Sequence, residues 1–221
     1  MIDLDFHPSS LDSLHLLLFF LDFHPSSFDF QTFSLITVVF RFHRFKGVLS
    51  SSSVDKILEY FDTKMGPFNG AKLVAKAWKD PGFKKLLLSD CNLACEQLDM
   101  PTGMSGAEGE IMRVAENTSS VHNLIICTLC SCYPWPTLGL PPYWFKDPTF
   151  RARSAREPRV VLSEFGLELE TDVEIRVWDS SGQIRWWVLP EQPEGTNEMT
   201  EEELAALITP ESMMGVSKVV L

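Results

Sequence analysis

The hydrophobic positions of this chain follow no steady period through the first fifty or so residues, then a helical one, then an alternating one. From Val54 to Lys64, Ile57, Leu58 and Phe61 share a helical face behind Ser53, whose side chain can cap the helix, and Gly66-Pro67 stops it. A second helix is predicted over Ala71–Trp78. Asp80-Pro81 offers an N-cap and a first-turn proline to a third, in which Phe83, Leu86, Leu87, Cys91, Ala94, Cys95 and Leu98 recur at helical spacing. The period becomes two in Val173-Glu174-Ile175-Arg176-Val177-Trp178. Asp179-Ser180-Ser181-Gly182 is turn chemistry and Ile184–Leu189 returns as a strand, so the spacing predicts a hairpin. Thr200-Glu201-Glu202-Glu203 is a capping box opening a short helix through Leu207, with Pro210 beyond its end. The order predicts an α+β domain: N-terminal helices, a loop bearing three cysteines, and a β-rich, α/β-layered C-terminal core.

Residues 1–53 stand apart as an N-terminal extension, open to being disordered. Leu4-Asp5-Phe6-His7-Pro8-Ser9-Ser10 returns as Leu21-Asp22-Phe23-His24-Pro25-Ser26-Ser27, but two copies are too few for a solenoid. The stretch closes in Ser50-Ser51-Ser52-Ser53, which resembles a linker, and the domain is expected to span 54–221. The apolar run Leu14–Leu21 has no Lys or Arg before it, the first basic residue being Arg41, and it is too short to cross a bilayer.

Charge removes one class of partner. A formal charge of −11 would repel the phosphates of a nucleic acid. Most of it lies late: residues 157–221 hold fourteen acids against four bases, Arg159, Arg176, Arg185 and Lys218, a net of −10. Lys146–Arg159 is locally basic, and both blocks read as solvated faces. Five cysteines in two clusters do not form the spaced framework of a small secreted protein, which points to reduced thiols and a cytoplasmic setting. Asn117-Thr118-Ser119 matches a glycosylation acceptor by chance in such a setting. Cys91 and Cys95, four apart on an apolar helical face, read as small buried core residues.

The remaining cysteines carry chemistry. Cys127-Thr128-Leu129-Cys130-Ser131-Cys132 places three thiols within six residues, a pattern of metal or redox sites. A metal held by the Cys130 and Cys132 sulfurs can also take the deprotonated amide nitrogens of Ser131 and Cys132, closing chelate rings of five, five and six members. Cys127 can add an axial sulfur, which leaves one octahedral position open for a Lewis-acid catalyst. Ionising backbone amides calls for cobalt or iron in a high oxidation state rather than tetrahedral zinc. A structural zinc held by Cys127, Cys130, Cys132 and His122 is the competing arrangement, although His122 alone reads as a hydrogen-bonded residue. Tyr133, Trp135, Tyr143 and Trp144 could wall an apolar pocket or belong to the core.

The hexapeptide is similar to the metal-binding signature of nitrile hydratase alpha subunits. The likeness continues through Glu116-Asn117-Thr118, Val121-His122-Asn123, Tyr133-Pro134-Trp135-Pro136, Leu138-Gly139-Leu140-Pro141-Pro142, Arg156-Glu157-Pro158-Arg159, Val177-Trp178-Asp179-Ser180-Ser181 and Glu201-Glu202-Glu203-Leu204. The resemblance implies hydration of nitriles to amides by a lyase whose non-corrin cobalt(III) is bound by Cys127, Cys130 and Cys132 through sulfur and by Ser131 and Cys132 through nitrogen. Iron(III) is the second choice, because Thr128 and Tyr133 resemble the cobalt branch. It further implies Cys130 as a sulfinic acid and Cys132 as a sulfenic acid, the pair at the catalytic centre, with Cys132 as nucleophile or base. A beta subunit in an αβ heterodimer or heterotetramer and an activator protein for metal loading follow from the same likeness. Glu108, where the family pattern suggests glutamine, would line the substrate pocket with Trp135 and Tyr133. The related thiocyanate hydrolase metal subunit is the alternative enzyme.

Overall fold

The computed structural model describes residues 55–56, 59–60, 63–102, 111–129 and 132–221. The chain divides into two compact units, Met1–Thr63 and Lys64–Leu221. In the first, the described residues are helical, and the Thr63 hydroxyl donates to the Glu59 carbonyl at 2.6 Å. The predicted cap at Ser53 and the extension lie outside the described residues.

In the second unit the helices open where local chemistry places them. Helix α1 (Pro67–Lys79) begins at a proline whose fixed φ suits the first turn, four residues before the predicted start. Helix α2 (Pro81–Ser89) is capped by Asp80, whose carboxylate accepts from the Gly82 and Phe83 amides. The single long third helix predicted from the apolar spacing is in fact two. Asp90 turns extended (φ −146°) and caps a separate α3 (Cys91–Glu96) by accepting from the Leu93 amide. An aspartate that can satisfy a free amide competes with continuation of the helix, and here it wins.

Two strands precede the cysteine loop and were not predicted: β1 (Ile111–Glu116) and β2 (Val121–Ile126). Strand β2 escapes an alternation test because it is buried along nearly its whole length, polar His122 and Asn123 included, so its burial does not alternate. After the loop come α4 (Trp135–Leu138), a 3₁₀ turn (Tyr143–Lys146), α5 (Pro148–Arg156) and α6 (Pro158–Glu164). Strands β3 (Glu174–Asp179) and β4 (Ile184–Leu189) follow, then α7 (Glu201–Leu207) and α8 (Pro210–Met214). The Thr200–Glu203 capping box forms as expected.

The predicted hairpin is not formed, although both of its strands are. β3 pairs in parallel with β2, Asp179 lying opposite Ile126, and β4 pairs in parallel with β1, Leu189 opposite Glu116. The turn between β3 and β4 therefore crosses from one two-stranded ribbon to the other. A lone hairpin is marginal in water. Pairing each strand with a covered partner instead buries Trp187, Val188 and Leu189 to 1% exposure or less. The crossing is held by Ser180, whose amide donates to the Ile126 carbonyl and whose hydroxyl accepts from the Trp186 amide. Helices α2 and α3 cover β1, α5 lies on β2, and α8 contacts both β2 and β4. The α+β class holds, with two strands ahead of the loop as well as two behind it. Among the described residues no helix is long and apolar enough to cross a membrane.

Candidate metal centre

Cys127 follows directly on the end of β2 and is fully buried; Cys132, at the far end of the loop, is 8% exposed. Between them Thr128 and Leu129 face solvent, Leu129 at 84% exposure. Cys130 and Ser131 lie outside the described residues, as does Glu108. Among the described residues no three His, Cys, Asp or Glu side chains gather as a metal cluster. Two buried sulfurs bracketing a short loop fit the donor set of a thiolate and main-chain-amide site, because burial shields such ligands from competing water.

Both ends of this loop are fixed. Asp179, last residue of β3, accepts from the Thr128 amide at 2.9 Å and from its hydroxyl at 2.5 Å, which clamps the loop one residue beyond Cys127. On the other side Tyr133 is 1% exposed, packs edge-on against Phe145 with centroids 5.2 Å apart, and donates its hydroxyl to the Met214 sulfur. Burial, reinforced by negative Glu211, pushes the Tyr133 phenol well above its ordinary range, so it stays neutral. Helix α4 is pinned next. The buried Asn69 amide of α1 donates to the Pro136 carbonyl at 2.8 Å. Gly70 permits the approach, since a β-carbon there would fall 2.5 Å from the Thr137 carbonyl oxygen. Trp135 is half-buried beside this segment, Tyr143 is largely exposed, and Trp144 stacks edge-on with Phe150 and Phe165.

Strand β2 is itself locked by a polar network beneath the loop. Asn117 accepts through Oδ1 from the Asn123 amide and side chain, at 2.8 and 2.9 Å. Asn123 also donates to the Glu116 carbonyl and accepts from the Trp178 indole at 2.8 Å. His122 uses both ring nitrogens: Nε2 donates to the Gly215 carbonyl at 2.7 Å, and Nδ1 accepts from the Asn117 amide at 3.2 Å. Burial lowers its pKa, and neutral imidazole is the form this pattern needs. With both nitrogens engaged, His122 has no lone pair for the structural zinc arrangement. Asn117, 8% exposed and donating from the nitrogen a glycan would use, is a chance match to the acceptor pattern.

Neither Asp179 nor the asparagine network stands out as a site element from local spacing, although Val177-Trp178-Asp179 and Val121-His122-Asn123 are among the segments that carry the likeness. Their roles depend on partners as many as 55 residues away.

Residues 34–217 match the family model for the nitrile hydratase alpha chain. The chain belongs to the nitrile hydratase alpha-chain family. It is 53% identical over 172 residues, 78% of this chain and 81% of its relative, to the low-molecular-weight cobalt-containing nitrile hydratase alpha subunit of Rhodococcus rhodochrous. The thiocyanate hydrolase gamma subunit of Thiobacillus thioparus is 40% identical over 179 residues, covering 78% of this chain and 73% of that one. Among solved structures, a double histidine mutant of the Fe-type nitrile hydratase from Comamonas testosteroni Ni1 superposes with a TM-score of 0.74 at 38% identity, over 87% of this chain and 92% of that one. In this member of the family, Cys127 and Cys132 bracket the loop that follows β2, and the network just described holds that strand.

Proposed function

We propose that this chain is the metal-carrying alpha subunit of a cobalt nitrile hydratase, which adds one water across the carbon–nitrogen triple bond of a nitrile to give an amide. The observation that carries the reading is the Cys127–Cys132 hexapeptide at the end of a buried strand, in a chain 53% identical to a cobalt-containing alpha subunit. Cys127, Cys130 and Cys132 would hold cobalt(III) through sulfur, and Ser131 and Cys132 through backbone nitrogen. When bound, the metal would supply Lewis acidity to the nitrile or to water. Cys132, as a sulfenic acid, is assigned the nucleophile or base, and Cys130 a sulfinic acid beside it.

The chain's own residues do the rest. Asp179 keeps Thr128, and with it the loop's first turn, in one place. Buried Cys127 and Tyr133 exclude water from beneath the loop. Trp135, Tyr133 and Glu108 are proposed to border the substrate, and the exposed Leu129 gives the loop an outward apolar contact suited to a beta subunit. That subunit, in an αβ heterodimer or heterotetramer, would complete the site, with an activator protein loading the metal. The cysteine pattern supports a cytoplasmic setting. The domain is proposed as residues 54–221, with 1–53 as an N-terminal extension of unknown role. Thiocyanate hydrolysis stands second, because that relative is less similar.

Native mass spectrometry of the chain co-expressed with a beta subunit and activator in cobalt medium tests this. One cobalt and three added oxygens on an αβ complex, with turnover of a nitrile rather than thiocyanate, is the expected result. Zinc on a lone chain with unmodified cysteines would overturn it.

A further inference from the structure

The loop machinery accounts for Asp179, Tyr133 and the asparagines, but leaves unexplained a titratable group placed between β2 and the C-terminal segment. His122 joins them through the 2.7 Å bond from Nε2 to Gly215, and its other nitrogen must accept from Asn117. Asn117 cannot turn over to offer an oxygen to a protonated ring. Its Oδ1 already accepts from both the backbone and the side chain of Asn123, and a flip would set two N–H donors against each other there. A second proton on His122 therefore has no acceptor, and the contact can relieve the clash only by opening.

Gly215 makes the other side equally intolerant. It sits at φ +83°, and a β-carbon would press into the Asn123 carbonyl, so the C-terminal chain meets β2 backbone to backbone with no slack. A cavity of about 300 Å³, lined by His122, Asn117, Glu191, Glu194, Ser217 and Lys218 among others, lies against the same contact. Water and protons can reach the ring when the segment moves.

We propose that His122 is an acid-released latch: while neutral it fastens the Gly215–Leu221 segment to β2, and on protonation it lets that segment go, loosening the strand that delivers Cys127. The charged groups around it do not reverse this. Lys218, from the latched segment, opposes a second positive charge. Glu191 and Glu194 line the cavity and would favour one, but burial of the ring outweighs them and holds its pKa below the ordinary value of 6.5. Glu211 on α8 acts on Tyr133, and Glu116 at the end of β1 is engaged by Lys84. The sign follows from linkage. The open state regains the ordinary imidazole pKa and binds a proton that the closed state refuses, so closure is fully favoured above 6.5 and weakens as pH falls below it. One proton taken up on opening raises the open population up to about tenfold per pH unit.

Hydrogen exchange of the full chain, with its beta subunit where the two copurify, tests the latch independently of catalysis. Peptides spanning 209–221 and 121–127, followed at pH 7, 6 and 5 with the chemical exchange rate normalised, should lose protection by up to about tenfold per unit below pH 6.5. His122→Gln keeps an amide donor for the Gly215 carbonyl and does not titrate, so its protection should be independent of pH. Equal loss in the variant, or no loss in the wild type, overturns the proposal. Should the variant fail to fold, the wild-type imidazole ¹⁵N shifts and the Val216 amide can be titrated together. A shared midpoint supports the latch, and separate midpoints refute it.

Discussion

Cys91 and Cys95 lie on one turn of α3, whereas Cys127 and Cys132 bracket the loop that ends β2, and the two pairs are buried to nearly the same degree. Burial therefore does not separate them. The difference is in what surrounds each thiol. Burial raises the Cys91 pKa well above its ordinary range, and neighbouring Cys95 adds to the rise. A thiol held neutral by its surroundings packs like a small apolar residue and is a poor ligand or nucleophile. On the helix, moreover, the Leu93 and Ala94 amides between the two cysteines are taken up by Asp90, the first through its carboxylate and the second through its carbonyl. In the loop, Asp179 engages the Thr128 amide one residue beyond Cys127. The helical pair is thus a packing element, whereas the loop pair flanks the hexapeptide proposed to hold the metal.

This contrast can be broken most severely at the loop itself. Alanine at Cys130 or Cys132 should abolish both cobalt binding and nitrile turnover, read by metal analysis and amide release; full activity in Cys132→Ala would refute the donor set. Next in size is Asp179→Ala, which frees both Thr128 bonds. Loss of such an orienting partner typically costs 10- to 100-fold, so cobalt occupancy after dialysis against a chelator should fall by about that factor while the fold, followed by circular dichroism, persists. Smaller again, Cys95→Ala should cost about 1–2 kcal/mol in denaturant unfolding, as a small core truncation does, and leave the cobalt content unchanged. If cobalt were lost there instead, the distinction between the two pairs would collapse. Smallest of all, Ser131→Ala should keep the cobalt stoichiometry, because a main-chain nitrogen survives loss of a hydroxyl. Finally, iodoacetamide at pH 8 should leave Cys91 unlabelled in the native chain and label it after denaturation, since its thiol is both buried and held protonated.

Much of this was legible in local sequence. The Asp80 cap, the Thr200 capping box and the helical burial of Cys91 and Cys95 each depend on residues within a turn or two, and each forms. The break at Asp90 was missed because the apolar spacing runs straight through it, while the competing cap is decided by one carboxylate. β2 was missed because a strand covered on both faces does not alternate. The hairpin between β3 and β4 failed for a related reason: the turn residues fix where the chain reverses its course, not which strand each half then pairs with. Asp179 sits in plain view as a turn residue, but its task at the loop lies 51 positions away.

By itself, then, the sequence determined the family and the cysteine spacing within 127–132 on which the proposed donor set rests, because spacing within six residues is a covalent property that survives any fold. It also determined the starts of α2 and α7, since their caps are satisfied within a turn. Only the tertiary structure decided that β2 and β3 run in parallel, that Asp179 reaches Thr128, and that His122 fastens the chain's end at Gly215. Those are pairings between distant segments, chosen by which apolar faces can be buried together and which buried polar groups can all be satisfied at once, and neither condition is visible in any short stretch of the chain.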